Sequence, residues 1–413
     1  MQNMTYPPGI DEVLKLLQIG GWALDDRWSR RRKVAISCIG ALNFSIILVN
    51  LVLNILAISG GLEALGNGAF LMGVSEAMGA LFSLCSISLF VFQSSRLKEI
   101  NSMLKDAVYC ALMNSPHAAA MYSRNRRQAL FHMYFTIAVS FSIIILWIVL
   151  YIVEMISAPR PLANRRVQFI FVISKFIGMG HPFYFWSAMI LKLPGLFFMV
   201  LSLFLASSIT PMVCTLMEGQ IHILMESLLN ISGEGGQNQS PPDVIEREQS
   251  ERTLNADCDR LKKCIEHHRL ILRAVKSSRQ FIAPFLFLSV CITAVYVANI
   301  SVAATWVDTG SFLLLIVFSA FFCLTETVNL VWHVTSLRIA CENVRSAAFS
   351  AQLNFPLTRK DLAFIIRRTY NQEKFSAVLT TSLTFHSVFK MLQLLWNYFT
   401  LCSRQRTDAH PGR

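Results

Sequence analysis

The sequence predicts an all-α protein, a bundle of seven membrane-crossing helices with helical extensions gathered on one side. Three observations carry that expectation. Apolar residues make up 54% of the 413 and charged residues only 15%, with a mean hydropathy of +0.48. That balance belongs to a polytopic membrane protein, not to a soluble domain. Seven stretches, 34–58, 68–93, 131–153, 187–212, 281–305, 311–334 and 384–402, approach the length of about 20 mostly apolar residues that a crossing helix needs. Lys and Arg, finally, are divided unevenly between these stretches. The segments 1–33, 94–130, 213–280 and 335–383 hold six, six, nine and seven; the alternate segments 59–67, 154–186, 306–310 and 403–413 hold none, four, none and three.

By the positive-inside rule the N-terminus is cytosolic and the C-terminal tail, 403–413, extracellular. This orientation is opposite to that of G-protein-coupled receptors, and neither an Asp-Arg-Tyr nor an Asn-Pro-x-x-Tyr motif is present, so no G protein is required. The net charge of +12 is topogenic on this reading, and no nucleic acid is expected as a partner. Residues 1–28 lack the pattern of a cleaved signal peptide, so the first span serves as its own signal. Ten scattered cysteines, without a CxxC pair or metal-ligand spacing, read as small packing residues.

The cytosolic segment 1–33 contains DEVLKLLQIGGW (11–22), with acidic residues first and an apolar stripe at Val13, Leu16 and Leu17. A short helix lying in the membrane interface fits it. Helices one to four follow over 34–212. Asn43, Asn50 and Asn54 share one face of the first span, as interhelical hydrogen-bonding groups do. Glu76 in the second span is a candidate functional residue because an intramembrane carboxylate is costly. Lys192 in the fourth is its natural partner.

The cytosolic loop 213–280 opens with apolar positions Leu216, Ile221, Leu224 and Leu228, which prolong the fourth span. A Gly/Gln/Ser/Pro-rich linker over 232–255 follows. Leu261, Ile265, His268, Leu272 and Val275 then repeat at the period of a coiled-coil seam, leading into helices five and six over 281–334. His268 on that seam reads as a packed or bridging residue. In the cytosolic helical loop 335–383, Leu337, Cys341 and Val344 extend the sixth span. Leu362, Ile365, Ile366 and Thr369 form another stripe, with Thr358 as its cap. Stripes on four extensions imply a packed helical anchor domain below the membrane.

No catalytic constellation is present: neither a Gly-rich phosphate loop, a GxSxG elbow, an HExxH motif nor a convergent carboxylate pair. The intramembrane ionisable residues Glu76, Lys192, Glu326, His333, His386 and Lys390 are dispersed. The expectation is no enzyme, no cofactor and no metal.

The last span, TFHSVFKMLQLLWNYFTLC (384–402), carries His386, Lys390, Gln393, Asn397 and Thr400 at spacings of 4, 3, 4 and 3. At about 100° per residue they fall within an arc of about 80°. Such a stripe faces protein or water. Packing against neighbouring helices and lining a water-filled pore both satisfy it.

Taken together, the orientation, the cytosolic extensions and the polar-striped last span resemble the insect-type chemoreceptor superfamily of odorant and gustatory receptors. LKKCIEHHRLIL (261–272) is similar to the Cys-x-x-x-His-x-x-Ile-Leu piece of odorant receptors. Phe385-x-x-Val388-x-Lys390 and Asn397-Tyr398-Phe399-Thr400-Leu401 resemble their terminal pieces, set further apart here. RIACENVRSAAFSAQL (338–353) is closer to gustatory receptors, since it lacks a tryptophan common in odorant receptors. The resemblance implies a ligand-gated cation channel in the membrane of sensory neurons, gustatory by a small margin and opened by a small molecule. It implies a homotetramer, or a heterotetramer with related subunits, as a multi-pass protein among membrane lipids. In such an assembly His386, Lys390, Gln393, Asn397 and Thr400 line the pore, with Lys390 kept from cations by snorkelling toward the cytosolic edge, by pairing with an acid such as Glu326, or by sitting beside the lumen. The implied ligand pocket, in the outer half of the second, third, fourth and sixth spans, includes Glu76, Trp147, Tyr151, Tyr184, Trp186 and Lys192. For the four aromatics an interfacial belt fits equally. An odorant subunit working with a co-receptor and, from another class, a secondary transporter are the alternatives.

Overall fold

Apolar stripes at helical spacing run well past the membrane stretches, and in the computed structural model of the chain the helices follow them. The structure describes residues 10–22, 29–59, 62–114, 118–157, 182–233, 244–304, 310–354, 363, 365–367, 376–378, 381–382, 389–390, 393–394, 396–397 and 400. Its helices are α1 (Ile10–Ile19), α2 (Arg30–Ser59), α3 (Leu62–Asn114), α4 (Ala118–Ser157), α5 (Pro182–Gly233), α6 (Val244–Ala304) and α7 (Gly310–Asn354). Residues 389–390, 393–394, 396–397 and 400 are helical as well. The fold is thus the expected all-α bundle, with one departure. A two-stranded antiparallel hairpin, β1 (Ser376–Val378) with β2 (Thr381–Ser382), pairs Ser376 with Ser382 and packs against α6. Among the described residues, three helical stretches are long and apolar enough to cross a membrane: Arg30–Val52, Ala77–Ala111 and Cys258–Asn299.

The helices outrun the bilayer. α3 has 53 residues; at about 1.5 Å per residue that is far longer than the roughly 30 Å hydrocarbon layer. The stretch 94–130, expected as a loop, is helical on both sides of 115–117. Its buried positions Leu97, Ile100, Leu104, Ala107, Val108 and Ala111 lie against the rest of the bundle. α6 begins at Val244, so the second half of the expected linker is helix; 234–243 lies outside the described residues.

The core sits where these extensions meet. α3 packs along α6, α5 along α4 and α7, and α2 against α3. Leu216, Ile221, Leu224 and Leu228 on α5, Leu261, His268 and Val275 on α6, and Leu337, Cys341 and Val344 on α7 are all buried, as is Ile365. Phe90 on α3 and Phe285 on α6 stack with centroids 4.7 Å apart, and Phe281 joins them at 5.2 Å. Apolar side chains of α2 are exposed on its outer surface (Val34, Leu42, Val52 and Ile55), as on a helix facing lipid. Among the described residues no cysteine is in a disulfide.

The N-terminal helix departs from the interfacial reading. Ile10, Leu17 and Trp22 are buried in the core cluster, not offered to lipid. The acidic pair in its first turn reaches other helices instead of headgroups. The asparagines of α2 depart as well. Among the described residues only Asn43 donates outside its helix, to the Gly20 carbonyl at 3.0 Å. Asn50 donates to Ile46 within α2 at 3.1 Å. Asn54 Nδ2 is buried without an acceptor among the described residues.

Candidate functional site

The polar stripe of the last helix is the first candidate site. Its described side chains (Phe389, Lys390, Gln393, Leu394, Trp396, Asn397 and Thr400) all fall on one face at about 100° per residue. That face is open in the single protomer. Lys390, Gln393 and Asn397 are exposed and Thr400 is half-buried. Phe389, Leu394 and Trp396, which flank the stripe, are 66%, 69% and 68% exposed. Thr400 Oγ1 donates to the Trp396 carbonyl at 2.8 Å, so its hydroxyl is satisfied on its own helix. His386 lies outside the described residues.

Glu326, one acid open to Lys390 as a partner, forms no ion pair with it among the described residues. Its Oε2 is buried without a hydrogen-bond partner among the described residues, and next to it Thr327 Oγ1 donates to Thr293 across the α6–α7 contact at 3.2 Å.

The proposed ligand pocket is known here only by its frame. Glu76 belongs to α3, Trp147 and Tyr151 to α4, and Tyr184, Trp186 and Lys192 to α5. Their side chains lie outside the described residues, and so does a Glu76–Lys192 pair. The frame is close-knit just inward of these positions. Ser83 of α3 donates to the Met199 carbonyl of α5 at 3.1 Å, and Phe141 of α4 meets Phe197 of α5 with centroids 5.8 Å apart.

A polar cluster that sequence reasoning missed lies where α4, α5 and α7 cross at the Lys/Arg-rich end. Ser336 Oγ on α7 donates to Glu218 Oε1 on α5 at 2.8 Å, and His222 Nε2 lies 3.6 Å from the same oxygen. The His222 imidazole first, then the Ser336 hydroxyl, hold the Glu218 carboxyl below its ordinary range against the opposing effect of burial. One turn away, Thr215 Oγ1 and His333 Nδ1 share a hydrogen bond of 3.3 Å. His333 also packs edge-on against His132 of α4, with centroids 5.3 Å apart. In the sequence the α4, α5 and α7 members of the cluster are far apart, and only His333 stands out there, as one of the dispersed intramembrane groups.

A second such contact joins α5 to α6. The buried His267 meets Gln220 with Nε2···Oε1 of 3.1 Å. Burial, and then the neighbouring His268, push the His267 imidazole down to about 4. Among the described residues no group of His, Cys, Asp and Glu side chains is arranged to hold a metal.

Comparison with known proteins agrees with this architecture. The model of the family described as 7tm odorant receptor matches residues 68–396. No curated protein matches the sequence significantly. Among solved structures, the insect olfactory receptor OR5 from Machilis hrabei in complex with eugenol is similar, with a TM-score of 0.70 at 11% identity over 96% of this chain and 97% of that one. A second structure of that receptor gives 0.64 at 13% identity, over 95% and 96% of the two chains. At such identities the likeness is one of fold.

Proposed function

This chain belongs to the 7tm odorant receptor family, and from that premise we propose that it is a ligand-gated, non-selective cation channel opened by a small organic molecule. Membership itself makes it a multi-pass membrane receptor and not an enzyme. The proposal adds a cytosolic N-terminus, the anchor domain formed by the helical extensions, and residence in the cell membrane of sensory neurons.

The observation that carries the pore reading is the exposure of Lys390, Gln393 and Asn397 in the single protomer. Polar groups on a crossing helix need a wet or polar neighbour, and these three find none among the described residues of their own chain. A ring of symmetry-related copies supplies one. Gln393 and Asn397 then offer neutral dipoles to a hydrated ion, and His386 and Thr400 continue the same wall. Glu76, Trp147, Tyr151, Tyr184, Trp186 and Lys192 form the proposed pocket, where aromatics with two ionisable groups suit a small amphipathic ligand. Gating follows if that ligand binds the open arrangement more tightly than the closed one.

Expression in a non-neuronal cell with patch recording tests this, against sugars, bitter compounds and volatiles. Eugenol is a natural first probe, given the complex of the structural neighbour. The expected result is agonist-evoked single-channel steps. Gln393→Ala or Asn397→Ala changes conductance or ion preference, while Tyr151→Ala or Glu76→Gln shifts the agonist response and leaves permeability alone. Pore variants that leave conductance and selectivity untouched overturn the pore assignment. Gradient-driven uptake without steps points to a transporter. The panel also separates a gustatory channel from an odorant subunit that responds only beside a co-receptor.

A further inference from the structure

A helix of 10 residues such as α1 is marginal on its own in water, so its order comes from what holds it. Asp11 Oδ1 accepts from Asn101 Nδ2 at 2.7 Å and from Lys105 Nζ at 3.4 Å, both on α3. Glu12 Oε1 accepts from the Arg126 guanidinium of α4 at 2.8 Å. The turn that follows is fixed to α2: the Gly20 carbonyl takes the Asn43 amide at 3.0 Å, and the Gly21 backbone lies directly on Gly40. Ile10, Leu17 and Trp22 fill the space beneath. One short segment thus fastens three helices together at their Lys/Arg-rich ends.

Two of those helices, α3 and α4, carry Glu76, Trp147 and Tyr151 of the proposed pocket toward their other ends. A ligand that re-angles α3 against α4 there has to work against a tie across the opposite ends. We infer that α1 is a gating strap: the Glu12–Arg126 and Asp11–Asn101/Lys105 contacts restrain α3 relative to α4, and loosening them favours the open channel. The inference rests on the channel reading above. The Glu12–Arg126 pair is suited to the role because its side chains are only 22% and 25% exposed. Shielded in this way, it is screened by salt less than a surface pair.

The test is a charge-swap cycle on the full-length protein with two readouts: patch current, without agonist and with eugenol, and the thermal midpoint of the purified protein. Glu12→Arg and Arg126→Glu should each raise agonist-free current about fivefold or more, the low end of ordinary coupling between sites. The double variant should return it to within about twofold of the original. Glu12→Gln, which keeps shape and hydrogen-bonding capacity, supplies a milder arm if a reversal blocks folding; it should raise the current in the same direction. Current that is unchanged or lowered in the single variants, or a double variant that fails to restore it, overturns the strap. Restoration seen in the thermal midpoint alone, beside normal currents, makes α1 a purely structural brace and overturns it too. If no variant passes current under any condition while the midpoints still show the coupling, the channel reading fails and takes the strap with it.

Discussion

Gly21 has φ of 77°, a conformation that costs a residue with a side chain about 1–2 kcal/mol. A Cβ there would also collide with the Gly40 amide and the Ile36 carbonyl, and a Cβ at Gly40 would collide with the Gly21 carbonyl. Neither backbone can yield, since each belongs to a packed segment. Gly21→Ala and Gly40→Ala are therefore each expected to lower the thermal midpoint by several degrees and to cut the yield of monodisperse protein in detergent. Gel filtration by fluorescence reads both effects, and wild-type yield and midpoint in Gly40→Ala would refute the contact. The glycine pair before Trp22 is plain in the sequence. Its partner Gly40, two turns into a hydrophobic helix, is not, because nothing local distinguishes it. The same limit applies to Asn43, Asn50 and Asn54: spacing puts them on one face, and only the fold decides that, among the described residues, Asn43 is the one that bonds outside its helix.

Among whole elements, most was legible where a buried stripe continues a crossing helix. Leu216 to Leu228 and Leu337 to Val344 are buried as their periodicity required, and so are Leu261, His268 and Val275 of the α6 seam, while its Ile265 and Leu272 are half-buried. The extension through Leu97, Ile100, Leu104, Ala107 and Ala111 obeys the same spacing, yet its alanines and interspersed charges disguised it as a loop. The hairpin Ser376–Val378 with Thr381–Ser382 gave no signal, being too short for a strand pattern. The contact of α5 with α6 makes a pH prediction at this scale. His267 binds a proton near 6.5 when unfolded but only near about 4 when buried. Its folded value is depressed, so stability is complete above 6.5 and is lost as pH falls from 6.5 towards 4. By pH 5 the loss is about 2 kcal/mol. The thermal midpoint of the purified receptor should fall between pH 7 and pH 5, and His267→Gln should flatten part of that slope. An identical slope in the variant would assign the acid sensitivity to other groups.

In the proposed assembly the candidate site would line a pore, and Lys390 has to be accounted for there. Periodicity in the sequence was enough to find the stripe, since five polar positions on one arc are a local pattern. The proposed pocket would need three helices to converge, which no local pattern encodes. In the protomer Lys390 is exposed, and among the described residues no acid is paired with it. In the proposed ring, symmetry repeats that charge around the axis. For a monovalent cation about 8 Å from each of four ammoniums in water, the opposing potential totals about 2 kcal/mol. That is a barrier large enough to set current but not to abolish it. Lys390→Gln should therefore raise cation conductance, most strongly at low ionic strength and less near 0.15 M salt, where the screening length is about 8 Å. Lys390→Glu should raise it further and shift the reversal potential toward cation preference. The measurement is single-channel conductance at two salt concentrations, with bi-ionic reversal potentials. Conductance that ignores the charge at this position would move Lys390 off the axis, and with it the register that sets Gln393 and Asn397 toward the ion.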